Sequence, residues 1–134
     1  MLSKEKGYVY FQDFIPENLF DIRVVVISGK AFALKRMTRK GDFRASGSGD
    51  IIYDKNQIDE RCVKIGFNIN EAIESQCIAY DFVFDKYNNP LIVEISFGFA
   101  MKAYDDCEGY WDKEMNWHAG KGFDFCGWMV EEVM

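Results

Sequence analysis

A chain of 134 residues has room for one domain with a sizeable core and is short for two. Apolar residues make up 49% of it and aromatic residues 16%, a composition that argues against a disordered or low-complexity chain. The net charge of −6 argues against nucleic acid or an anionic membrane as partner, because either needs a basic face.

The chain opens on MLSKEKGYVYF, which has no signal-peptide core, and no apolar run approaches the ~20 residues of a membrane span. A cytoplasmic protein is the reading. YVYFQDF (8–14), β-branched and aromatic, predicts a first strand, and IPEN turns the chain. DIRVVVISGKAFALKRMTRK (21–40) predicts two strands around a Ser-Gly-Lys hairpin turn, the second alternating Phe32, Leu34 and Arg36 against Ala33, Lys35 and Met37. GDFRASGSGD (41–50) is Gly- and Ser-rich and predicts a loop. From Asn56 to about Cys77, Ile58, Cys62, Ile65, Ile69 and Ile73 recur at helical spacing, with Asp54 or Asn56 as N-cap and Gly66 and Asn68 as weak points. Two apolar strands follow, 78–85 and 90–96, joined by an Asn-Asn-Pro turn. The aromatic, Gly-interrupted tail predicts irregular structure plus one short helix. The fold class is α+β, a largely antiparallel sheet with packed helices in a single domain, 1–134.

Cys62, Cys77, Cys107 and Cys126 form no CxxC pair, and His118 alone completes no recognisable zinc set, so free thiols in a reducing compartment are expected. The charged residues that interrupt the apolar strands are more informative. Asp81 and Glu94 sit at comparable heights on the 78–85/90–96 hairpin, so their carboxylates can converge. Close carboxylates repel and are costly to bury unpaired; a divalent cation with oxygen ligands, Mg²⁺ above all, removes both costs. Exposed carboxylates facing water or a lysine are the other reading. Arg23, Lys35, Arg36, Arg39, Lys40 and Arg44 crowd the first hairpin and its loop, where they form either an anion site with GDFRASGSG or a solvated basic edge. The loop lacks the GK[ST] ending of a Walker A motif.

In order, FQDF, FDIRVVVISGKAFALKRM, GDFRASGSG, YDFVF and LIVEIS resemble the C-terminal half of ATP-grasp ligases. The branch they are most similar to is that of the ribosomal-protein glutamate ligases, with its pattern QEY, DIR, GDFRSN, GxDI and MEVN. The resemblance covers residues 8 to about 97. It implies that Asp13 and Phe14 hold the adenine through backbone groups and that Asp21 lies next to the nucleotide. Arg44, Ala45 and Ser46 would contact the nucleotide, and Asp81 and Glu94 would be magnesium ligands. Ser96 stands where the family has its third ligand, an asparagine. The implied chemistry is ATP- and Mg²⁺-dependent activation of a carboxylate through an acyl phosphate, then attack by an amine or thiol. Arg23, Arg36 and Arg44 would stabilise the transferring group.

VEISFGF followed by GYWDKEMNWHAG looks like a subgroup resembling carbamoyl-phosphate synthase large subunits, in which Trp111, Asn116 and His118 would line the acceptor site. Packing of the tail on the sheet is the other reading for the tryptophans and His118. The family's substrate domain and most of its central lobe have no counterpart here, so the resemblance implies a fragment that self-associates or works with an N-terminal partner chain. A non-catalytic remnant acting as a binding or interaction module is the alternative function.

Overall fold

The computed structural model describes residues 7–47, 49–131 and 133–134. The first six residues of the stretch read for a leader, and Ser48 of the Gly/Ser-rich loop, lie outside them.

Strands β1 (Phe20–Ile27) and β2 (Lys30–Met37) form the central hairpin. Its two-residue turn puts Ser28 at φ 47° and Gly29 at φ 76°. Left-handed conformation at both positions matches the right-handed twist of the strands, and glycine takes it without steric cost. β3 (Ile51–Ile52) pairs with the end of β2. A 3₁₀ turn (Lys55–Gln57) leads into α1 (Glu60–Ala72), and β4 (Cys77–Phe84) and β5 (Pro90–Ser96) make the second hairpin. Then come a short 3₁₀ turn (Met101–Tyr104), the hairpin β6 (Gly109–Asp112) and β7 (Trp117–Ala119), and α2 (Phe125–Glu131). Among the described residues the seven strands form one antiparallel sheet, ordered β5-β4-β1-β2-β6-β7, with β3 beside β2. No described helix is long and apolar enough to cross a membrane.

Strand alternation gives the sheet two different faces. One carries Ile22, Val24, Val26, Ala31, Ala33, Ile78, Tyr80 and Phe82, and α1 covers it with Cys62 and Val63. Each large aliphatic or aromatic side chain buried there contributes roughly 1.5–3 kcal/mol. Gly66 explains how close the helix comes: a Cβ at this position would lie 3.4 Å from the Val24 and Val26 methyls. On the opposite face the tail folds back, and Tyr104, Cys107 and Phe125 pack on Val25, Ile27, Phe32, Leu34 and Ala79. The tail covers only that apolar half. Along the same face, beyond Val25 and Leu34, the strands change to Asp21, Arg23, Arg36, Asp81 and Glu94.

Three expectations are corrected. Residues 8–14 form no strand; Tyr8, Val9, Tyr10 and Phe11 extend into solvent with no ladder partner among the described residues. The helix does not begin at Asn56. Asp54 caps only the 3₁₀ turn, and the α1 N-cap is Asp59, whose carboxylate accepts from the Arg61 N–H at 3.0 Å. The tail holds a hairpin besides its helix. Aromatic pairs on either side of DKEMN build it, and Trp111 and Trp117 pack edge to face at 4.5 Å.

Candidate functional site

Register decides which charges meet. Arg23 on β1 lies opposite Asp81 on β4, and Asp81 lies opposite Glu94 on β5. Between Ile92 and Glu94 the ladder shifts by one, so Val93 is an extra residue in a β-bulge. Ser96 pairs with Ala79, which places it on the same face one step beyond Glu94. On the far side of β1, Asp21 lies opposite Arg36 of β2.

The side chains join into one network. Arg23 donates to both oxygens of Asp81, Nε to Oδ1 at 2.5 Å and Nη2 to Oδ2 at 2.6 Å. Arg36 Nη2 donates to Asp81 Oδ2 at 2.9 Å, and Arg36 clasps Asp21 with bonds of 2.7 and 2.6 Å. Glu94 is more open: its side chain is 62% exposed and stands 4.0 Å from Arg23 Nη2. The repulsion expected between Asp81 and Glu94 is thus answered by arginines. Among the described residues no group of three or more His, Cys, Asp or Glu side chains is set to hold a metal.

Burial tunes these groups. Desolvation raises the Asp21 carboxyl above its ordinary value, against the lowering pull of Arg36. Hydrogen bonds donated to Asp81 hold the Arg23 guanidinium more firmly protonated than usual. Desolvation opposes the charge on Arg36, but Asp21 and Asp81 outweigh it and its pKa also rises. Tyr104, buried at the edge of the aromatic half, faces Arg23, and desolvation raises its phenol. Nothing in the pattern around MKAY singled Tyr104 out.

Beside the network lies a cavity of about 460 Å³, within the usual range for small-molecule sites. Gln12, Asp13 and Phe14 line it from the N-terminal segment, Phe43 from the Gly/Ser-rich loop, and Val93 and Glu94 from β5. Phe14 and Phe43 meet edge to face at 5.2 Å and close one wall. Asp13 and Phe14 are therefore brought together with Glu94, and Glu94 with Asp81, Arg23 and Arg36.

Other predicted residues sit elsewhere. Arg44 is exposed and pairs with Asp42 at 2.6 Å instead of with the network. Ala45 is buried, and the Ser46 carbonyl accepts from Arg39 Nη2 at 2.6 Å. The Ser96 hydroxyl donates to the Gly98 carbonyl at 2.6 Å. Trp111, Asn116 and His118 belong to the β6–β7 hairpin, Asn116 in its loop, across β1 and β2 from Asp81, and the structure does not bring them to the cavity. Trp111 is buried and donates to Glu60 at 3.2 Å, Asn116 closes the hairpin loop on Asp112, and His118 stacks on Tyr110 and meets Asp112 at 2.8 Å.

A family model described as RimK-like ATP-grasp domain matches residues 1–109. No curated protein matches the chain.

Proposed function

We propose a function on the premise that the chain belongs to the RimK-like ATP-grasp family, and is thus an ATP-binding domain of the ligase type. The proposal is that the cavity takes the nucleotide and that the chain serves an ATP-dependent carboxylate–amine or carboxylate–thiol ligase. The observation that carries it is the continuity from the Asp13–Phe14 segment through the cavity to Glu94 and its charged neighbours. An adenine base would lie against the wall that Phe14 and Phe43 form together, where ring surface and backbone groups are at hand. Phosphates leaving the cavity past Glu94 would meet the Arg23 guanidinium.

The oxygen donors suit Mg²⁺. Glu94 has both carboxylate oxygens open apart from the 4.0 Å approach of Arg23. Asp81 already accepts three hydrogen bonds, which leaves about one of its roughly four lone-pair directions. Glu94 would hold the ion chiefly, with Asp81 and the Ser96 oxygen sharing it, and the ion would neutralise phosphate charge when bound. Arg23 and Arg36 would stabilise the charge on a γ-phosphoryl group as it passes to a substrate carboxylate. The P–O bond to ADP breaks as the acyl phosphate forms, and an amine or thiol then displaces phosphate from the acyl carbon. Arg44 would join them only by leaving Asp42.

A second reading has its own observation. Because three of the roughly four lone-pair directions of Asp81 are taken by Arg23 and Arg36, the network also fits a binding module that keeps the fold and does no chemistry. Calorimetric titration with ADP, with and without Mg²⁺, separates the two when set beside Glu94→Gln. Magnesium-dependent binding that the variant loses supports the ligase reading; binding indifferent to both favours the module, and no binding sinks the nucleotide site in this chain.

A further inference from the structure

The chain carries an open sheet edge and a strand-forming segment that has no ladder partner among the described residues. β5 is the outer strand of the sheet next to β4. Edges of this kind are usually blunted by lysines or covered. PLIVEIS carries a single charge, Glu94, and beyond the Val93 bulge it presents Ile95 at 48% exposure, with Phe97 at 75% just after it. At the other end of the chain, Tyr8, Val9, Tyr10 and Phe11 are 103%, 75%, 86% and 88% exposed. Four consecutive aromatic and β-branched residues have high strand propensity, and water is an unfavourable surrounding for them.

The segment forms no ladder with its own β5. Asn18 clasps Phe84 of β4, donating to its carbonyl at 3.0 Å and accepting from its N–H at 2.8 Å. Gln12 Nε2 donates to the Val93 carbonyl on β5 at 2.9 Å. Those two anchors lie on β4 and β5, and residues 8–11, on the N-terminal side of Gln12, stand exposed to solvent.

We propose that two copies of the chain exchange these segments, residues 8–11 of each adding as a strand to the 94–97 edge of the other. The exchange is self-complementary, so two such ladders close a two-fold dimer and remove both exposed features at once. It makes no use of nucleotide and stands apart from the ligase reading.

The test uses the whole chain. Sedimentation equilibrium is measured for the wild type, for Val9→Pro/Phe11→Pro, which removes two ladder donors, and for Ile95→Lys on the receiving edge. Val9 and Phe11 are largely exposed and Ile95 is about half exposed, and unchanged far-UV circular dichroism and melting temperature verify that the fold survives. A wild-type dimer that each variant weakens by about tenfold or more, the effect of one or two lost ladder bonds, carries the proposal. A monomer up to millimolar concentration, or a dimer that either variant leaves unchanged, overturns it. ADP titration of the same variants reports on the nucleotide site separately.

Discussion

Asp81 and Arg23 face each other across β1 and β4, two inner strands of the sheet, and are tied by two parallel hydrogen bonds of 2.5 and 2.6 Å. The pair is the hub of the charged half of its face: Arg36 and Asp21 hang from one side of it and Glu94 from the other.

Removing the hub leaves cations without partners. The Asp81 side chain is 5% exposed and that of Arg36 is 9% exposed. Asp81→Ala is therefore expected to cost about 3–5 kcal/mol, because two guanidiniums lose a buried counter-charge. Glu94→Gln, at an exposed position with only a 4.0 Å contact, stays within about 0.5 kcal/mol. Urea unfolding of both variants checks the contrast; equal costs would show that Asp81 is no hub.

The β6–β7 hairpin has its own acid limit. The hydrogen bond from His118, aided by bonds from Asn116, lowers the Asp112 carboxyl from its ordinary 3.8 to about 2. A folded-state value below the unfolded one contributes stability that is present above about pH 4 and is lost as the pH falls towards 2. Asp21, raised by burial, contributes in the opposite sense. Asp112→Asn is expected to flatten the acid-side loss reported by fluorescence of Trp117, which packs on Trp111. A variant with the wild-type acid profile would count against the Asp112–His118 bond.

Helix α1 should be sensitive at Asp59 and tolerant at Asp54. Asp59→Ala removes the N-cap bond to Arg61 and is expected to cost about 1 kcal/mol. Asp54→Ala touches only the single 3₁₀ turn before it and costs less. Thermal melts of the two variants rank them.

Gly66 lies in the middle of α1 with space for one methyl, at 3.4 Å from Val24 and Val26. Gly66→Ala is expected to stabilise the chain by about 0.5–1 kcal/mol through helix propensity. Gly66→Val drives further carbons into the sheet and costs about 1–3 kcal/mol. Denaturant midpoints for the pair decide it, and a loss in both would mean that the contact is already at its limit.

What the sequence disclosed follows its strongest periodicities. Alternation in FALKRM and the apolar runs 78–85 and 90–96 place β2, β4 and β5 within a residue or two, and Arg36 on the face of Phe32 and Leu34. Asp81 and Glu94 were legible as neighbours. The partner of Asp81 was not, since it comes from β1, fifty-eight residues away, and only the β1–β4 register brings Arg23 to it. The start of α1 was misplaced because Asp54, Asn56 and Asp59 are all good caps, and which one acts depends on where Ile58 is buried. YVYF reads as a strand by composition, yet a strand needs a neighbour that local sequence does not supply. Trp111 packs on Trp117 and His118 stacks on Tyr110, so contacts within the β6–β7 hairpin account for both.

The Val93 bulge bears on how the chain can change length. Between Pro90 and Glu94 the strand is one residue longer than an even ladder against Phe84–Asp81 requires, and the bulge takes up the surplus. A deletion of Val93 would leave a regular hairpin with Glu94 still opposite Asp81. A deletion of Ile95, just beyond it, has no such slack: Ser96 would rotate to the helix-covered side, opposite Tyr80, and the row of oxygens would end at Glu94. Two single-residue losses, two positions apart, would thus have unequal fates, one absorbed by the backbone and the other written directly into the site.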